Sequence, residues 1–172
     1  GFWYTPNMQG QGTIDIMKQM ILAGQETSLD VGWDPLNFPP NHQELLFKTL
    51  EYTTFFFANE KEVMAITKKG TVETACQNLL GISTTIDQPV IVLHRGEKGC
   101  AVITKKERIE IPPFHVQNVV NPTGSGDVFN GGFVHGLLNG WSYDKCAKWA
   151  AKAAAVHLGD FNKIYPTIQD IG

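Results

Sequence analysis

The 172-residue sequence contains no apolar run near the ~20 residues that a membrane-spanning helix requires. Its longest runs, Phe55-Phe56-Phe57-Ala58 and Val90-Ile91-Val92-Leu93, suit buried strands. No basic-then-apolar segment opens the chain, so no secretory signal is read there and a cytoplasmic protein is the expectation. An excess of basic charge is also missing. Fourteen Lys and Arg stand against seventeen Asp and Glu, a formal charge of −3. Without a basic stripe to displace counterions, general nucleic-acid and membrane-surface binding are excluded. Cysteine is scarce. Cys76, Cys100 and Cys146 are far apart, with no CxxC pair and no Cys/His spacing, which excludes a zinc site or a disulfide framework and leaves buried free thiols. An initiator Met is absent too. The chain opens on the apolar Gly1-Phe2-Trp3-Tyr4 as if cut within an element, so a missing amino-terminal portion is expected.

What is present reads as alternating strands and helices. Ile14, Met17, Ile21 and Leu22 recur at helical spacing before Gly24. Residues 27–31 read as a short strand running into a turn-rich stretch. Pro39-Pro40-Asn41 breaks the chain before a helix at 44–50. A buried strand at 55–58 meets Asn59, placed to cap a helix at 60–66, and a further helix fits 72–80. Residues 90–93 form a strand, 96–99 a turn, and 100–104 with 108–111 a hairpin. The short stretch 116–120 leads into Asn121-Pro122-Thr123-Gly124-Ser125-Gly126-Asp127, with helices expected at about 127–138 and 143–158. The second is rich in alanine, the best helix former. Strands alternating with helices define an α/β layered sheet, and 172 residues fit one domain.

The chemistry concentrates at Gly124-Ser125-Gly126-Asp127. A glycine-rich turn between a strand and a helix is an anion site, because backbone N–H groups converge there and the helix dipole adds partial positive charge. Asp127 sets a carboxylate beside those donors. A kinase acting on a hydroxyl needs that pairing, a group to take the proton and donors to neutralise the transferring phosphoryl group. Other phosphate motifs fail on spacing: no lysine follows Gly126 as GxxxxGK[ST] demands, and GxGxxG would need glycine where Phe129 stands. Taken alone, the turn reads first as a tight bend with Asp127 capping the helix, since short glycine motifs are weak evidence. Gly131, Gly132 and Gly136 read as close-packing positions on the helix that follows.

The stretch from Asn121 to Phe133 resembles the carboxy-terminal signature of the ribokinase-like (PfkB) carbohydrate kinases, D-T-x-G-A-G-D-x-F-x-x-G. Asn59-Glu60-Lys61-Glu62 is similar to that family's N-x-x-E motif. Residues 92–99, Val-Leu-His-Arg-Gly-Glu-Lys-Gly, are similar to its strand-turn segment near the nucleotide, and order and spacing agree across about residues 30–166. The resemblance implies a ribokinase-like layered sheet with flanking helices, lacking the amino-terminal part and lid of that fold. It implies ATP-dependent phosphotransfer to a sugar or polyol hydroxyl, with Asp127 as base. The amides of Gly124, Ser125 and Gly126 would form the anion hole, and Gly96 and Gly99 would let the backbone run close to the nucleotide. Asn59 and Glu62 would organise Mg²⁺, partly through water.

Beside these roles stand plainer readings: an N-cap asparagine with an exposed glutamate at 59 and 62, and a β-turn at 96–99. His94 reads as structural, and His157, Trp141 and Trp149 as packing at helix surfaces or covering adenine nonspecifically. The signature also departs from the family. Asn121 replaces the usual aspartate, in a region that binds K⁺ in cation-activated members, which puts K⁺ dependence in doubt. Ser125 replaces alanine, and Lys152 stands where many relatives carry asparagine. The segment Asp30-Val31-Gly32-Trp33-Asp34-Pro35 matches a family D-P-N-x-R-like segment only in part. A nucleotide-binding or regulatory module without catalysis, and a nucleoside or vitamin-precursor kinase on the same fold, are the competing readings. Exposed sheet edges favour self-association, a homodimer included.

Overall fold

The computed structural model describes residues 2–172, apart from the side chain of Pro6. Five strands form one sheet in the order β1-β2-β3-β4-β5 with helices flanking it, the ribokinase-like α/β arrangement. The strands are β1 Ser28–Asp30, β2 Phe55–Asn59, β3 Val90–His94, β4 Cys100–Ile103 and β5 Arg108–Ile111. By contact density the chain divides into two compact units. One runs through Leu93 and includes Ile103–Arg108; the other comprises His94–Val102 and Ile109–Gly172.

In the first unit, β1 pairs parallel with β2, Leu29 opposite Phe56. Phe55, Phe56, Phe57 and Ala58 are all buried, the continuous apolar run of a strand covered on both faces. Helix α1 (Gln11–Leu22) buries Ile14 and Met17, whereas Leu22 is exposed although it shares their spacing. Helix α2 (Pro40–Leu50) begins four residues earlier than the sequence suggests. Pro40 does not break the chain but occupies the first helical turn, where its fixed φ suits the helix and its missing N–H is no loss. The loop before it is anchored by the fully buried Asp34, whose carboxylate accepts N–H bonds from Leu36 and Phe38 and meets His42 Nδ1 at 2.7 Å. Helices α3 (Glu60–Thr67) and α4 (Val72–Leu80) follow as expected. All three cysteines are buried free thiols; burial pushes Cys76 up to about 11 and Cys100 to about 12, so neither is a nucleophile.

In the second unit, α5 (Ser125–Leu138) packs on α6 (Tyr143–Gly159) through small residues. Ala147, Ala150 and Ala153 of α6 are buried, and a Cβ at Gly132 would lie 3.1 Å from the Ala150 Cα. At Gly136 it would lie 2.7 Å from Cys146 Sγ and 3.1 Å from the Cys146 Cα. These two glycines are close-packing positions, but Gly131 is not, since a Cβ there meets open space. A four-residue helix α7 (Ile168–Ile171) ends the unit, unforeseen in the sequence. No strand forms at 116–120, so the glycine-rich turn is entered from irregular chain. The Val120 N–H bonds the Leu158 carbonyl of α6 at 2.8 Å instead of a neighbouring strand.

The glycine contrast is testable by urea denaturation. Gly131→Ala is expected to stabilise by about 1 kcal/mol through helix propensity alone. Gly136→Ala is expected to cost about 2 kcal/mol through overpacking against Cys146. Equal effects from the two substitutions contradict this account of the helix interface.

Candidate active site

The start of α5 is built to leave donors open. Gly124 is the N-cap with φ 85°, a left-handed conformation that a side chain disfavours, and no side chain caps the helix. The first backbone bond of the helix runs from the Val128 N–H to the Gly124 carbonyl at 3.0 Å. The amides of Gly126 and Asp127 precede it and have no carbonyl of their own helix to reach. Ser125 is partly spent, with its hydroxyl donating to the Pro122 carbonyl at 3.0 Å and its amide 3.5 Å from the same atom. The hydroxyl that the sequence adds at this position therefore braces the turn. Asp127 itself is exposed.

Two concavities open on either side of this turn. The smaller, about 160 Å³, brings Gly96 and Gly99 together with Ser125 and Gly126. Apart from His94 and Arg95 its remaining walls are apolar, among them Phe114, Val116, Ala151, Ala154 and Ala155. Gly99 has φ 84°, and a Cβ there would fall 2.0 Å from the Ile111 carbonyl oxygen, so the backbone packing of the hairpin demands glycine by itself. Gly96 also has positive φ, 56°, but faces open space. His94 forms a wall: its Nε2 lies 2.9 Å from Asn130 Oδ1, its ring edges onto Phe129, and it sits 3.7 Å from where a Cβ of Gly126 would be. The structural reading of His94 holds. The larger concavity, about 510 Å³, contains Gly124 and Asp127 with His135, Trp149, His157 and Tyr165.

Three side chains depart from expectation. His157 does not pack at a helix surface but is buried, with both ring nitrogens near backbone carbonyls. Lys152 donates to the Gly172 carbonyl at 2.7 Å, while its neighbour Ala151 lines the smaller concavity. Glu62, in the first unit, is buried rather than exposed. It completes a reciprocal cap with Asn59, each side chain accepting the other's backbone N–H at 2.9 Å. The alanines were legible only as helix formers. Nothing in the sequence marks them as walls of a slot.

A ribokinase-like α/β fold carrying an open-ended helix start defines a class, and comparison with known proteins narrows it. The chain belongs to the pfkB family of carbohydrate kinases, matched over residues 14–170. It is 30% identical over 129 residues to a nucleoside kinase of Methanocaldococcus jannaschii, covering 73% of this chain and 39% of that protein. A cytidine kinase of Thermococcus kodakarensis is 31% identical over 128 residues, 69% of this chain and 44% of that one. The chain thus spans less than half the length of these relatives. A ribokinase of Arabidopsis thaliana, solved with ribose and ATP, shares the fold with a TM-score of 0.78 at 23% identity, covering 92% of this chain and 50% of that one.

Burial pushes the Glu62 carboxyl above its usual value, the Asn59 hydrogen bonds oppose this, and the charge of Asp30 adds to it. A carboxyl raised in the folded state contributes stability that is present below its unfolded value and lost as pH rises through the folded one. The wild type should therefore lose stability relative to Glu62→Gln as pH climbs through and just above the carboxylate range. Urea midpoints of the two proteins along a pH series check this. A difference that stays flat, or grows the other way, contradicts it.

Proposed function

We propose that the chain is the carboxy-terminal, nucleotide-binding and catalytic part of a kinase that transfers the γ-phosphoryl group of ATP to a hydroxyl of a sugar or related small molecule. One observation carries the reading: in a pfkB-family chain, an exposed carboxylate at Asp127 adjoins helix-start amides that have no internal partner. The apolar slot beside Ala151, Ala154 and Phe114 suits a flat nucleobase, with Gly96 and Gly99 letting the backbone approach it. The phosphate chain then runs to Ser125 and Gly126. The amides of Gly126 and Asp127, with those of Gly124 and Ser125 beside them, bind the terminal phosphoryl oxygens as charge redistributes. The acceptor hydroxyl attacks the γ-phosphorus in line, the bond to the departing ADP oxygen breaks, and Asp127 takes the hydroxyl proton.

Magnesium would come to such a site with ATP, held by phosphate oxygens and water. Among the described residues no group of three or more His, Cys, Asp or Glu could cage a metal. The family resemblance would assign Asn59 and Glu62 of the first unit to Mg²⁺ through water; in the structure one Glu62 carboxylate oxygen accepts the Asn59 N–H. When bound, Mg²⁺ would neutralise charge on the β- and γ-phosphates.

A nucleoside acceptor is the second reading, favoured by the nucleoside kinase and cytidine kinase among the relatives. A nucleoside presents a sugar hydroxyl to the same machinery, and phosphate chemistry does not read the rest of the acceptor.

Asp127→Asn should lower kcat by about 10²–10⁴-fold with the best acceptor of a sugar and nucleoside panel, the range for a general base. ATP affinity by calorimetry should change little. A variant that keeps near-normal turnover removes Asp127 as the base. Tight ATP binding by the wild type with no ADP release from any acceptor favours a binding module instead.

A further inference from the structure

His157 stands in the last turn of α6 with 2% of its surface exposed. Its Nε2 lies 2.9 Å from the Thr123 carbonyl oxygen. Its Nδ1 lies 3.0 Å from the Ile164 carbonyl and 3.3 Å from that of Lys163. Carbonyl oxygens only accept. A neutral imidazole carries one N–H and one lone pair, so it would satisfy one side and oppose lone pair to lone pair on the other. The doubly protonated ring donates to both. The cost of burying that charge is offset by the carbonyl dipoles around it and by the negative end of the α6 dipole.

The segment it grips is the phosphate-binding turn. Thr123 immediately precedes Gly124, and a Cβ at Gly124 would lie 3.8 Å from His157 Nε2. In a trans peptide the C=O and N–H point opposite ways, so fixing the Thr123 oxygen on the ring also fixes the direction of the Gly124 N–H. Just upstream, the Leu158 carbonyl of the same helix end accepts the Val120 and Asn121 amides at 2.8 and 3.3 Å. Ring and helix end together hold the chain entering α5. The titratable groups sharing this concavity are Asp127 and His135 from α5 and Tyr165 from the carboxy-terminal segment. That segment also carries Asp160, whose carboxylate accepts the Asn162 N–H, and Lys163, which is paired with Asp170 at 2.5 Å. Residues 120–124 carry none.

We propose that His157, held as an imidazolium, is a positioning residue for the turn at Gly124–Asp127, and that the turn loosens when the ring loses its proton. The consequence for catalysis rests on the kinase reading; the effect on the turn does not.

The test follows the ring ¹⁵N shifts of His157 and the backbone amide shifts of Gly124 and Ser125 in the ligand-free protein from about pH 5 to pH 8, the window in which histidine changes charge. ATP affinity is measured alongside. The ring should show the imidazolium signature at the acid end, and the two amides should shift with the same midpoint. ATP affinity should fall roughly tenfold across that midpoint, a typical coupling between linked sites. His157→Gln should bind ATP at the weakened level at every pH, whereas His135→Gln should keep the coupled titration. A ring that is neutral throughout, or amides that do not follow it, overturns the proposal, and the wild-type spectra decide this even should His157→Gln fail to fold. Should ring and amides titrate together in a protein that binds no ATP at any pH, the kinase reading fails and the positioning role stands.

Discussion

A helix that starts without a capping side chain must find acceptors for its first amides elsewhere. Helix α5 is one such helix: Gly124 takes a left-handed conformation, and the amides of Gly126 and Asp127 lie ahead of the first internal bond. At α3 and α4 the same need is met locally, whereas α1, α2 and α6 also begin without a side-chain cap. Asn59 and Glu62 cap α3 reciprocally, and Thr71 caps α4 through its hydroxyl. The contrast with α3 is chemical: its start is closed by side chains, and that of α5 is not. An anion with several acceptor oxygens answers an open start, and the dipole of a fourteen-residue helix favours its charge.

Close packing holds that start in place. Gly132 and Gly136 let α5 approach the alanine face of α6, and the end of α6 reaches back to the chain entering α5 through Leu158 and His157. The same run of small residues leaves a slot at Ala151, Ala154 and Ala155, so one compositional choice serves both the helix interface and the concavity beside Gly126. Rigid placement matters for phosphoryl transfer, where the protein contributes mostly positioning and electrostatics.

Much of this was legible in the sequence. The helix at Val72–Leu80 follows from its apolar spacing, and the buried strands at Phe55–Asn59 and Val90–His94 from their continuous apolar runs. The turn and Asp127 stand out because the longer stretch around them, from Asn121 to Phe133, resembles a family signature. What stayed hidden depends on partners distant in the chain. Pro40 reads as a breaker until its place in a first turn is known. The valines at 116–120 have strand propensity, but the Val120 N–H bonds a helix end, which no local pattern announces. Gly131 and Gly136 look alike in sequence and differ only in what faces them. His157 is the clearest case, a lone histidine in an alanine-rich helix whose significance lies in carbonyls six, seven and thirty-four residues away.

Family membership narrows the reaction but leaves the acceptor open, since nucleoside and sugar kinases both stand among the relatives. The proposed function turns on where one phosphoryl group sits. A crystal structure of the protein with Mg²⁺ and a non-hydrolysable ATP analogue tests it directly. The account predicts the terminal phosphate within hydrogen-bond distance of the Gly126 and Asp127 amides, with the base against Ala151 and Ala154. A terminal phosphate bound elsewhere, with those amides facing solvent, contradicts it.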